Sequence, residues 1–222
     1  MRRVRFAFVG EGPSDRGLVR HLETLCVRAG ADEALGEAPP LERLPDPPGH
    51  AVVDQVKTAL RVLGRVDLLF IHRDADARDP TRRREELAAA LADLSHIPPH
   101  VLVVPVQETE AWLLADPDAI RAAVGTPDRA RDLDLPPLHA IERTARPKEL
   151  LRAALLRASA TTGRRRERLE GEFPFYRSLL LERLDIDGPV RRLASFRRLV
   201  QDIETALAAP ATAPSIQGRR RR

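Results

Sequence analysis

The stretch Val66-Asp67-Leu68-Leu69-Phe70-Ile71-His72-Arg73-Asp74-Ala75-Asp76 decides the fold of this chain. From Val66 to His72 it is an almost unbroken apolar run, the pattern of a strand covered on both faces of a parallel sheet. It then gives way to two carboxylates two residues apart. The plan recurs on either side. Arg3 to Val9 reads as a first strand, its Val4, Phe6 and Phe8 alternating with Arg5, Ala7 and Val9, and Gly10-Glu11-Gly12-Pro13 turns the chain after it. Val101 to Val106 reads as a later strand that runs into Gln107-Glu108-Thr109-Glu110-Ala111-Trp112.

Helical spacing fills the intervals. Leu18, Leu22 and Leu25 mark a helix that Ser14 or Asp15 can cap and that stops near Gly30. Val52, Val56, Ala59, Leu60 and Leu63 mark a second, ended by Gly64, and a third is expected over 81–94. A short strand is expected around Leu41 to Leu44. A short helix follows Glu108, and Asp116-Pro117 supplies the cap and first residue of another. Strands alternating with helices imply right-handed crossovers and an α/β sheet, mostly parallel.

Beyond residue 124 the character changes. Residues 125–146 carry Pro127, Pro136 and Pro137 and read as loop, with helical patterns over 147–160 and 190–207. The expected organisation is an α/β core over 1–124, a helical extension over 125–208 and a disordered basic tail over 209–222.

Composition narrows the function classes. Hydrophobic residues make up 43% of the chain but aromatics only 4%, so aliphatic side chains and Ala must fill the core. No apolar stretch approaches the roughly 18 residues of a membrane span. A single Cys, Cys26, excludes an internal disulfide and fits a reducing, cytoplasmic setting. The net charge of +4 resides in Arg219 to Arg222; without them basic and acidic residues balance. That tail could contact phosphates or stay solvated. The chain has no glycine-rich phosphate loop ending in Lys-Ser or Lys-Thr, so a nucleotide-driven step would need a partner.

The carboxylates are the chemical signal. In open parallel sheets the carboxyl ends of the strands face a common crevice where ligands bind. Carboxylates converging there repel unless a cation neutralises them, and oxygen ligands without Cys or clustered His favour Mg²⁺ or Mn²⁺ over zinc. In extended backbone, Asp74 and Asp76 face the same side and can reach one cation. On a helix, Glu108 and Glu110 point in different directions and should take different roles. His72, at the end of a buried strand, reads as a satisfied histidine, Trp112 as a core residue beside Leu113 or Leu114, and Gly163 to Arg168 as a solvated face that could instead meet phosphate. Arg146, Lys148, Arg152, Arg164, Arg165 and Arg166 offer forked or point-charge contacts to phosphate, and the C-terminal half is expected to bind nucleic acid rather than catalyse.

Glu-Gly and then Asp-x-Asp, each after a strand, resemble the Toprim domain of topoisomerases, primases and overcoming-lysogenization-defect nucleases. VGEGPSDRGLVRHL, LLFIHRDAD and VPVQETEAWLLAD together resemble the Toprim-related family called domain of unknown function 4276, with Arg146-Pro-Lys-Glu-Leu150 and Ser195-Phe196 compatible. The resemblance implies a Toprim-like, Rossmannoid fold and a Mg²⁺- or Mn²⁺-dependent nuclease. In it Glu11 would act as acid/base or metal-associated group, and Asp74 and Asp76 would hold the metal. Glu110 is the further carboxylate expected beside them. The same resemblance suggests a role in phage or mobile-element defence with a separate ATPase subunit. Two other classes stay open: a non-catalytic regulatory or nucleic-acid-binding subunit, and a haloacid-dehalogenase-like phosphatase with Asp74 as nucleophile. Against the phosphatase, the motif ends a later strand and position 78 is Arg.

Overall fold

The computed structural model describes residues 1–125 and 131–208. The tail over 209–222, expected to be disordered, lies outside the described residues. Four strands form one parallel sheet in the order β2-β1-β3-β4: β1 (Arg3–Val9), β2 (Glu33–Glu37), β3 (Leu68–His72) and β4 (His100–Val103). Helices flank it, so the chain is α/β with a Rossmann-like arrangement.

Strand periodicity divides the core in two. Phe6, Phe8, Phe70, Val101 and Val103 point to one face, against α1 (Leu18–Arg28) and the C-terminal helices. Ala7, Val9, Leu69, Ile71 and Leu102 point to the other, against α2 (Val52–Leu63) and α3 (Thr81–Ala92). The α2 stripe ends where the sequence implies: Gly64 adopts φ 70°, a left-handed cap that costs glycine nothing. From β1 the chain leaves through α1 toward β2; from β3 it leaves through α3 on the opposite face toward β4. The two connections diverge between β1 and β3, and such a switch point opens a crevice at the strands' carboxyl ends.

One expected strand is displaced. Leu41–Arg43 is a single 3₁₀ turn, and the edge strand is Glu33–Glu37. Its signal is weak because the segment is half exposed and polar, held by Asp32 and Glu33 against Arg2 and Arg3. Gly36 is required there: a Cβ would stand 2.2 Å from Phe6 Cζ.

After β4 come α4 (Glu110–Leu113) and α5 (Pro117–Ala123), the latter capped by Asp116, which accepts the Asp118 and Ala119 N–H groups at 3.0 Å. The C-terminal stretch supplies α6 (Pro147–Ser159), α7 (Gly163–Gly171), α8 (Phe173–Glu182) and α9 (Ala194–Ala208). The boundary drawn at residue 124 does not coincide with a break in packing. One apolar cluster joins Phe6, Phe70 and Trp112 to Leu155, Leu181, Phe196 and Ile203. Trp112 is fully buried, meets Phe196 edge-on at 5.2 Å and donates from Nε1 to Ser195 Oγ at 2.8 Å. Its neighbour across the core is thus α9. No helix among the described residues is long and apolar enough to cross a membrane.

Candidate active site

The switch point between β1 and β3 opens into a cleft of about 390 Å³ lined by Glu11, Asp15, Asp74, Glu108, Glu110, Lys148, Arg152 and Arg177, among others. Glu11 arrives on the turn after β1, Asp74 on the loop after β3, and Glu108 and Glu110 on the entry to α4. Lys148 and Arg152 project from the first turns of α6, and Arg177 from α8. Glu11, Asp74 and Glu110 therefore share one cleft.

Each carboxylate has one oxygen anchored. The Asp74 N–H donates to Glu11 Oε2 at 3.1 Å. Asp74 Oδ1 accepts both the N–H and the hydroxyl of Thr109, each at 2.9 Å. Glu108 Oε2 accepts the Lys148 N–H at 2.9 Å, holding the start of α6, while Glu110 Oε1 accepts Arg177 Nε at 2.7 Å. The two glutamates thus take different partners, although both line the cleft. Glu11 Oε1, Asp74 Oδ2, Glu108 Oε1 and Glu110 Oε2 have no hydrogen-bond partner among the described residues.

Asp76 is elsewhere, a correction to the expectation that both aspartates face one cation. That expectation assumed extended backbone, but Asp76 has φ 52° while its N–H bonds Gln107 O at 2.8 Å. Left-handed backbone, which Asp tolerates better than most residues, breaks the same-side relation. The Asp76 carboxylate instead accepts Arg83 Nη2 at 2.7 Å and lines a separate hollow with Arg82 and Glu86.

A mostly buried polar network forms part of the cleft wall. Arg177 donates to Glu110, to Asp15 Oδ1 at 3.1 Å and to the Ser14 carbonyl at 3.3 Å. Asp15 Oδ2 accepts the Gly12 N–H at 2.9 Å, which shapes the turn bearing Glu11. Burial alone would raise the Asp15 carboxyl, but His72, the Gly12 N–H and Arg177 together hold it well below the usual carboxylate range. His72 Nε2 lies 2.9 Å from Thr109 Oγ1. Because that hydroxyl gives its proton to Asp74, the ring N–H donates to the hydroxyl. His72 Nδ1 stands 3.4 Å from Asp15 Oδ2, an electrostatic contact without hydrogen-bond alignment. Asp74 behaves oppositely to Asp15. Burial pushes its carboxyl up to about 6, with Glu110 and Glu11 adding to the rise against the opposing pull of His72 and Thr109.

The basic residues separate as well. Lys148 lines the cleft, and Arg152, also there, lies 4.6 Å over the Phe173 ring, which fixes its planar head. Arg146 is exposed at the start of α6, paired with Glu149 at 3.5 Å. Arg164, Arg165 and Arg166 are exposed on α7 outside the lining, with Arg166 paired to Glu170 at 3.3 Å. Sequence reasoning missed Arg177 and Thr109, and saw Asp15 only as a cap. Phe173-Pro174, a start signal for the helix bearing Arg177, was the available clue.

The donor set can be tested against a cation. Among the described residues no three His, Cys, Asp or Glu side chains stand ready to hold a metal. Mg²⁺, however, is commonly held by one or two carboxylates, with water and substrate phosphates completing its shell. Glu11 and Asp74, adjacent and each with a spare oxygen, fit that lesser demand. Comparison of the chain with protein-family models, with curated proteins and with solved structures found no match.

Proposed function

We propose that this chain is a Mg²⁺- or Mn²⁺-dependent phosphodiester hydrolase, a Toprim-like nuclease acting at the cleft between β1 and β3. One juxtaposition carries the reading: Glu11, Asp74 and Glu110 on the sheet side of the cleft, with Lys148 and Arg152 on its helical wall. Asp74 would hold the cation, with Glu11 beside it, and the cation when bound neutralises charge on the phosphate oxygens. Lys148 and Arg152 bind the phosphate, Arg152 with its fork aimed by Phe173. Thr109, backed by His72, fixes Asp74, leaving Oδ2 to face the ligand. Arg177 fixes Glu110. Exposed Glu11 is the group to take the proton from the attacking water as its oxygen bonds phosphorus, and the bridging ester oxygen leaves with a proton from solvent. Nucleic acid is the substrate in this reading, a separate ATPase subunit the partner, and the cytoplasm the setting; Cys26, fully buried with its thiol pushed up to about 12 by burial, accords with that setting.

A second reading, a non-catalytic subunit, is favoured by Arg177, which already neutralises Glu110 and Asp15 without a metal. Cleavage of plasmid and single-stranded DNA and of RNA in Mn²⁺ separates the two. The hydrolase reading expects Asp74→Asn and Glu11→Gln to lower the rate about 100-fold or more, while Asp76→Asn stays within a few-fold. Cleavage that survives chelator and both substitutions overturns it. No cleavage by any form favours the non-catalytic subunit.

A further inference from the structure

A second cleft, of about 500 Å³, lies beyond the carboxyl end of β4 and shares no lining residue with the first. Val104, Val106, Leu138 and Leu193 make its apolar floor, and Arg78, Arg143, Arg192, Arg197 and Arg198 line it from four separate segments. Its acids are already engaged. Glu142 accepts the Ala194 and Ser195 N–H groups at 2.7 and 2.8 Å, so the α9 N-terminus is satisfied from within. Asp202, just outside the lining, accepts from both Arg84 and Arg198.

The arginines are not engaged to match. Among the described residues the side chains of Arg78, Arg143 and Arg192 make no hydrogen bond or ion pair, and Arg197 reaches only the Arg192 carbonyl, at 2.7 Å. All four are exposed. Like charges gathered around one trough, with the local acids committed, leave a concentrated positive field. The trough is far larger than one phosphate, and its forks come from elements held apart by the fold, an arrangement suited to successive phosphates of one strand.

We infer that this cleft binds the sugar-phosphate backbone of a nucleic-acid strand, independently of the carboxylate cleft. It rests on the hydrolase reading only in naming the polymer; the anion site stands without it. Both clefts are lined in part by residues that follow the carboxyl ends of the strands.

The test is fluorescence anisotropy of a labelled single-stranded DNA oligonucleotide in EDTA, where cleavage plays no part. Arg78→Gln, Arg143→Gln and Arg192→Gln together should weaken binding about tenfold or more and reduce the salt slope by about 2, since each lost single-strand phosphate contact removes about 0.7. A charge-matched variant, Arg20→Gln, Arg61→Gln and Arg183→Gln, should change neither by half as much. Equal losses in the two triple variants would reduce the effect to bulk charge and overturn the inference, as would absence of wild-type binding. A mononucleotide that competes as well as the oligonucleotide overturns the assignment to a strand. Unchanged thermal unfolding of the cleft variant shows that folding is not the cause. Failure of the hydrolase reading would show instead as inactivity with this binding intact.

Discussion

Two acid–arginine pairs in this molecule have the same length and opposite settings. Arg177 Nε to Glu110 Oε1 and Arg83 Nη2 to Asp76 Oδ2 both span 2.7 Å. The first pair has side chains 10% and 4% exposed; the second has 31% and 63%. In water-rich surroundings the attraction is screened and contributes about 0–1 kcal/mol. In the interior, each ion has given up hydration, and removing one partner strands the other. Distance alone therefore says little about what a pair does. Burial assigns the Asp15–Arg177–Glu110 network the task of holding the cleft's shape, and leaves Asp76–Arg83 as a surface contact.

The largest expected effect follows from that contrast. Arg177→Ala should destabilise the fold by about 3–5 kcal/mol, read from urea unfolding, because Asp15 and Glu110 lose their shared counter-charge. A loss below about 1 kcal/mol would show that water enters the network freely, and the contrast would fail.

Asp74→Asn tests the intermediate case. The Asp74 carboxyl sits at about 6, above its ordinary 3.8, so the folded state holds this proton more tightly than the unfolded chain does. Its effect favours folding below about pH 4, fades as pH rises, and is fully lost above about 6. The asparagine variant escapes that loss. It should match wild type near pH 4 and exceed it by about 1–3 kcal/mol at pH 8 in EDTA, a pH-graded difference in unfolding free energy. A difference constant across pH would mean that Asp74 is not held out of water. Asp76→Asn should give the smallest change, within about 0.5 kcal/mol at any pH, because its partner remains solvated. A larger change would restore Asp76 to the structural core of the site.

Much of this contrast was invisible in the sequence, for identifiable reasons. β1 and β3 and the Asp116 cap were legible because apolar runs and cap chemistry are local signals. The same holds for Glu11, Asp74 and Glu110, which are placed by the ends of those elements. β2 was not legible, because an edge strand reading Glu-Ala-Leu-Gly-Glu has no buried face to pattern; what selects it is the gap that Gly36 leaves for Phe6. The divergence of Asp76 from Asp74 depends on one left-handed residue, fixed by a backbone bond to Gln107. Arg177 is 162 residues from Asp15, and no spacing rule connects them. Its helix follows an arginine-rich segment that reads as solvent-facing, which α7 largely is, with only Leu169 buried.

The long reach of Arg177 has a consequence for the order in which the protein is made. A ribosome delivers all four strands, and with them Glu11, Asp15, Asp74 and Glu110, before α8 emerges. Until then Asp15 and Glu110 lack the guanidinium that joins them, and the turn around Gly12 lacks the tie to Ser14 and Asp15. The newborn N-terminal part is thus a sheet with an unfinished mouth, and the mouth is completed only when the chain's last third folds back. By this geometry the cleft takes its final shape only after most of the chain has been made.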